Sequence, residues 1–213
     1  MRTEDLIQSL SADTRAVPRH ADRRRVLMGL ILGGMATLAV VVFGMGLRRD
    51  LPGAMMTMPF MMKWAYSISL GVLALIATLH VARPDAPPLR TAWIVGVPVA
   101  LLILAAIAEL ATTRDDFWME LWMGSSWREC SMRVALLSLP IFAGLIWAFR
   151  QLAPTRLRTA GAAAGLAAGG CAATLYGLHC PEVSATFVVT WYTLGMLLSA
   201  AIGAMLGPRL LRW

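Results

Sequence analysis

Charge is the first thing this sequence lacks. Of its 213 residues, 15% are charged and 58% hydrophobic, against roughly 25% charged in soluble domains. So large a shortage excludes an ordinary soluble chain, and the apolar residues are gathered in blocks instead of an amphipathic period. Catalytic motifs are missing too: there is no GxxxxGK phosphate loop, no HExxH zinc helix and no GxSxG elbow. Histidine occurs three times, and two of the three, His20 and His80, fall on the side away from the reactive cluster described below. The apolar blocks carry almost no charge at mid-depth and no convincing repeat, whereas transporters commonly pair repeats with broken, polar helices. Catalysis and pumping both find little support, and the chain reads as a non-enzyme.

What is present is a series of long apolar blocks. About 20 residues cross a bilayer as a helix, because each rises about 1.5 Å and lipid offers no partner to a bare amide. Six blocks qualify: 26–47, 61–82, 92–112, 132–149, 159–178 and 185–206. The expected fold class is an all-α membrane protein with six transmembrane helices. The fifth block is the weakest, being mostly Ala and Gly. Its Gly161, Gly165 and Gly169 recur every fourth residue, which lets helix backbones pack closely.

The net charge of +7 is a topology signal, not a mark of nucleic-acid binding. With both termini in the cytoplasm, thirteen Lys and Arg residues lie inside and six outside, as the positive-inside rule favours. "DRRRVLMGL" at 22–30 resembles a twin-arginine export signal, but no A-x-A-like cleavage site follows the apolar run. Residues 1–25 are therefore expected to be a retained cytoplasmic tail, 26–207 the six-helix bundle and 208–213 a short cytoplasmic end.

Within the tail, Thr3 suits a helix cap, and Glu4 and Asp5 suit the positive end of the helix dipole. Leu6, Ile7 and Leu10 follow as a small apolar stripe on one helical face, and Pro18 ends any helix. Such a short helix is marginal alone in water. It gains order by laying its stripe in a partner's groove, or it is a topogenic tail on the membrane surface.

The same topology puts "LHCPE" at 178–182 and "WRECS" at 127–131 on the outer side, so His179, Cys180 and Glu182 share a face with Cys130. Three readings of the cysteines stay open. They could form a disulfide if their Cα atoms come within about 7 Å, in a compartment oxidising enough to keep it. They could supply soft thiolates to a metal, with His179 and Glu182 as further donors. They could also be isolated small residues at helix ends. Cys171 lies nine residues before Cys180, roughly 13 Å deeper along a helix, and is expected to be buried. Phe117, Trp118, Leu121 and Trp122 form an interfacial stripe, with Asp115, Asp116 and Glu120 facing water. Met55, Met56, Met58, Met61 and Met62 could attract a soft metal, though without strict spacing. Glu109 is the one acid clearly inside a span, close enough to the end to snorkel.

Several stretches together carry a family resemblance. They are "RTEDLIQSL" at the start, Trp127–Cys130 as W-x-x-C, "LHCPE" at 178–182, "WYTLG" at 191–195 and the closing "GAMLGPRLLRW". On these the chain resembles the NrsF family, negative regulators of sigma F, six-span anti-sigma factors of the bacterial inner membrane. The resemblance implies a cytoplasmic part that binds an extracytoplasmic-function sigma factor and keeps it from RNA polymerase. It also implies that Cys130 and Cys180 sense a stress signal, by binding metal or by oxidation, with no cofactor beyond a regulatory heavy-metal ion. Leu6, Ile7 and Leu10 are the expected sigma contacts; the lipid bilayer is the other partner, and direct nucleic-acid binding is not expected. Two rivals are a small metal or solute transporter using Glu109 and the Met cluster, and a membrane thiol oxidoreductase using Cys130 and Cys180.

Overall fold

The computed structural model describes residues 3–12, 21–81, 92–150, 154 and 156–212. Among them every regular element is helical. In chain order these are α1 (Thr3–Ala12), α2 (Ala21–Ala39), α3 (Leu51–Ala54), α4 (Met58–Val81), α5 (Gly96–Thr112), α6 (Trp118–Met123), α7 (Trp127–Phe149), α8 (Leu157–Tyr176), α9 (Ala185–Phe187) and α10 (Thr193–Leu210). Two π-helical stretches interrupt the regular geometry. Val40–Met45 continues α2 to a stop at Gly46, and Val188–Tyr192 joins α9 to α10.

Five helices are long and apolar enough to cross a membrane: Arg23–Met45, Met58–Val81, Trp93–Thr112, Asp115–Phe149 and Ala185–Leu210. The chain is a helical membrane protein. The Ala/Gly block falls short in hydropathy, although α8 has 20 residues. The helices also run past the expected boundaries. Helix α2 starts at Ala21, inside the expected tail, and the basic Arg23–Arg25 form its first turns.

Helix α8 is the centre of the packing, touching α10, α4 and α7, while α2 lies along α7. Its small residues explain why. A Cβ on Gly161 would strike the Gly203 carbonyl, and one on Gly165 the Ser199 carbonyl. Hydrogen at those positions lets the α8 and α10 backbones meet directly, so dispersion contacts replace the hydrophobic drive that lipid cannot supply. Thr37 adds a cross-helix bond, its hydroxyl donating to the Leu137 carbonyl at 2.9 Å. The outward faces of α2 and α5 are apolar and exposed, for instance Leu32, Met35, Leu101 and Leu104. That is the arrangement expected of a surface solvated by lipid.

Candidate functional site

At one end of the bundle three connections meet: the segment after α2, the segment before α7, and the turn from α8 to α9. The last turn of α8 closes with the amides of His179 and Cys180 both donating to the Tyr176 carbonyl, at 2.9 and 3.0 Å. Pro181 follows and cannot continue the helix. Opposite, Cys130 sits in the first turn of α7, its amide on the Ser126 carbonyl at 3.0 Å. Cys130 and Cys180 are completely buried and unbridged. They face one another, with the Cys130 thiol donating to the Cys180 sulfur. The Ser126 hydroxyl lies 3.9 Å from that sulfur.

Beneath the turn is one of the six cations expected on the outer side. Lys63 lies in α4, fully buried. Its ammonium donates to the carbonyls of Cys180 at 3.0 Å and Glu182 at 2.8 Å. The rings of Phe60 and Tyr192 flank it at 5.4 and 5.6 Å. A buried ammonium costs several kcal/mol unless it is well paired. Charge-assisted bonds of about 1.5–3 kcal/mol each and two ring faces offset that cost. Lys63 is the chain's only lysine, a signal that sequence reasoning passed over.

Tyr192 stands at the end of the Val188–Tyr192 π-helical stretch, fully buried, with no oxygen or nitrogen partner for its hydroxyl. The group it faces is the Cys180 sulfur. The Tyr176 hydroxyl is likewise buried and unpartnered, its ring 5.9 Å from that of Tyr192. These surroundings push the Cys180 thiol well below the ordinary thiol range. The hydrogen bond from Cys130 contributes most, and the Lys63 charge and the Tyr192 hydroxyl add to it against the opposing effect of burial.

The other two expected donors point elsewhere. The His179 Nδ1 lies 2.8 Å from the Gly46 carbonyl, at the stop of α2. The Glu182 carboxylate accepts from the Ser125 amide at 2.8 Å and the Ser125 hydroxyl at 2.6 Å. Among the described residues no three His, Cys, Asp or Glu side chains converge on a common point. The four sequence-derived candidates therefore divide into a sulfur pair and two ties, and they do not fit a four-donor metal centre. Next to Glu182 is Gly124, at φ +55, where a Cβ would collide with the Glu182 carboxylate and the Phe187 ring. Only glycine suits both that conformation and that space.

Arg48 completes the clamp. Its guanidinium forks onto Asp50 at 2.7 and 2.6 Å, and that pairing raises the Arg48 pKa and lowers that of Asp50. Its amide donates to the Leu178 carbonyl at 3.2 Å, and Nη1 lies 3.5 Å from the Pro181 carbonyl.

The remaining candidates are placed as follows. Glu109 caps the start of α9, accepting from the Ser184 hydroxyl, the Ala185 amide, and the amide and hydroxyl of Thr186 at 2.8–3.2 Å. It therefore faces a helix N-terminus and not an open path. Met55, Met56, Met58 and Met61 are exposed. Cys171 is half-buried, lining an apolar groove of about 280 Å³ with Leu30, Ile68 and Thr174. The expectation of full burial is corrected there, because small neighbours leave one side of α8 open. In the aromatic stripe, Trp122 stacks on Trp191 and presents its carbonyl to the Trp191 indole N–H at 2.7 Å. In α1, Leu6 and Ile7 are exposed, while the side chain of Leu10 lies outside the described ones.

Fold and site together define a helical membrane protein with a buried, charge-supported pair of thiols at one end of its bundle. Residues 10–213 match the profile of NrsF, described as negative regulator of sigma F, and the chain belongs to that family. It is 41% identical over 215 residues to the anti-sigma-F factor NrsF of Caulobacter vibrioides, with both chains covered completely. It is 37% identical over 216 residues to the probable anti-sigma-F factor NrsF of Azospira oryzae, again end to end. No solved structure matches it.

Proposed function

We propose that this chain is a non-enzymatic anti-sigma factor of the bacterial inner membrane. It crosses the membrane six times with both termini in the cytoplasm. Its N-terminal tail holds an extracytoplasmic-function sigma factor through Leu6, Ile7 and Leu10. It releases that factor when Cys130 and Cys180, facing the periplasm, bind a metal or are oxidised. The observation that carries this reading is the end-to-end likeness to a protein named an anti-sigma-F factor.

Physical features support the finer parts. Helix α8 has 20 residues, about 30 Å of helix, which matches the hydrocarbon thickness. Counting it as a sixth span returns the C-terminus to the side of the tail. The segments around Arg48, Ser125 and Glu182 bond to one another at one end of the bundle, as loops exposed on a single membrane face must. The turn carrying Cys180 is tied to Gly46 and Arg48, and these continue from α2, the helix joined to the tail. A change at the sulfur pair thus reaches the end of α2 through these hydrogen bonds, and α2 itself carries it across the membrane toward the tail. To weaken that contact 150-fold, the two packings must differ by about 3 kcal/mol in their preference for the signal. Glu109, already saturated by the α9 N-terminus, gives the transporter reading no free intramembrane acid.

The test is crosslinked co-purification from native membranes, comparing wild type with Leu6→Asp/Leu10→Asp. A sigma factor captured by the wild type and lost from the variant is the expected result. Absence of any sigma factor under unstressed conditions would remove the main support.

A further inference from the structure

We propose that Cys130 and Cys180 work as a dithiol–disulfide couple, positioned by Lys63 and oxidised by a hydroperoxide, instead of as the core of a metal centre. This rests on the reading of the pair as the sensor and narrows it to one chemistry.

Three observations lead there. First, the donor set stops at two. His179 is engaged with Gly46, and Glu182 with Ser125. Among the described residues no third His, Cys, Asp or Glu side chain joins the two sulfurs. Second, a fixed cation is already installed. The Lys63 ammonium lies 3.0 Å from the carbonyl oxygen of Cys180 itself, where it repels an incoming metal ion and favours anionic sulfur. Third, the polar groups around the Cys180 sulfur are hydrogen-bond donors: two hydroxyls and the Glu182 backbone. The Ser126 hydroxyl lies 3.9 Å away, and the buried Tyr192 hydroxyl, which has no hydrogen-bond partner, is close by. Such donors suit a thiolate, and equally the oxygen of a sulfenic acid, and they are poor ligands for a soft metal.

The chemistry balances with one hydroperoxide per pair. The Cys180 sulfur attacks the distal peroxide oxygen; an S–O bond forms, the O–O bond breaks, and the leaving alkoxide takes up the proton as an alcohol. Cys180 is then a sulfenic acid, two electrons oxidised. The Cys130 sulfur, already in contact, attacks it; the S–S bond forms, the S–O bond breaks, and water leaves. Cys130 and Cys180 are thereby the resolving and the attacked sulfur respectively. Lys63 acts through Cys180 and touches neither peroxide nor the breaking bonds, so it is a positioning residue.

The experiment treats the full chain in lipid nanodiscs with hydrogen peroxide and follows the Cys130–Cys180 linked peptide by non-reducing mass spectrometry. The linked peptide should accumulate in the wild type, at least tenfold more slowly in Lys63→Met, and at near wild-type rate in Lys63→Arg. Rescue by arginine separates the charge from mere packing. An unchanged rate in Lys63→Met, or a bridge to Cys171, overturns the proposal. If Lys63→Met does not fold, limiting iodoacetamide on the wild type decides instead. Modification of Cys180 before Cys130 supports the assignment, and the reverse order overturns it. Sigma capture is scored separately in reduced protein, so failure of the disulfide leaves the anti-sigma reading standing, and the converse also holds.

Discussion

The sulfur pair is completely buried, so anything that reacts with it must first displace part of the site. The segment most easily displaced is Gly124–Ser126. It is closed over Cys180 by two bonds from Ser125 to a single carboxylate oxygen of Glu182. Behind it lies a surface hollow of about 540 Å³ lined by Thr113, Phe117, Glu120, Gly124 and Ser184. Glu182→Ala removes both bonds. Charge-assisted hydrogen bonds are each worth about 1.5–3 kcal/mol when buried, but Ser125 is exposed and Glu182 half-buried. Solvent screening therefore reduces the net value of the pair to about 1–2 kcal/mol. That energy corresponds to roughly 5–30-fold in the population of the open segment. If opening precedes reaction and is fast, thiol modification accelerates by the same factor. The assay is the rate of Cys180 alkylation by a water-soluble, membrane-impermeant maleimide, quantified on the Cys180 peptide. Ser125→Ala, which removes only the 2.6 Å bond, should fall between wild type and Glu182→Ala. An unchanged rate in Glu182→Ala, with the thermal unfolding midpoint preserved, would refute the latch.

Other expectations follow from the same geometry. Gly165→Leu should destabilise the bundle by about 1–3 kcal/mol or more, the cost of overpacking, because its Cβ alone already meets the Ser199 carbonyl. A lowered unfolding midpoint in detergent checks it, and an unchanged midpoint would mean the α8–α10 approach is looser than described. Glu109→Ala should cost about 1–2 kcal/mol, the usual loss of a helix cap, and leave metal flux into liposomes at background. Flux that is present in the wild type and abolished in Glu109→Ala would revive the transporter reading. For Cys180 the lowered pKa fixes a sign. Between its lowered value and the ordinary thiol value of about 8.5, the folded protein holds a thiolate and the unfolded chain a thiol. Stability should therefore rise with pH across that window and be lost as pH falls through the lowered value. Alkylation of folded protein should stay nearly flat there, whereas in denatured protein it should rise about tenfold per pH unit. Parallel profiles in the two states would contradict the assignment.

How much of this was legible beforehand depends on which physical signal each residue leaves in one dimension. Hydropathy blocks located the five helices long and apolar enough to cross a membrane, because lipid forces every backbone amide into a helix, and the Gly161–Gly165–Gly169 spacing correctly pointed to close packing of α8. Topology put Cys130 and Cys180 on one side of the membrane and left open whether they meet; the family resemblance singled out the pair. What that logic could not supply was direction. His179 and Glu182 were grouped with Cys180 because they are its neighbours in sequence, yet a non-helical turn sends successive side chains to different sides. One reaches Gly46 and the other Ser125. Lys63 shows the converse failure. Two residues into an apolar block, it scored as a boundary charge, since the tally assumes that a cation near a span end reaches water. Here its acceptors are carbonyls from a turn 117 and 119 residues away, and no local pattern encodes partners at that separation. The same distance explains Glu109, whose place near a span end allowed snorkelling or a function, and whose four donors come from the N-terminus of α9. In both cases the charge marks a place where the fold requires a long-range partner. A single lysine in 213 residues, placed inside a span, is the kind of signal that composition registers only when it is read residue by residue.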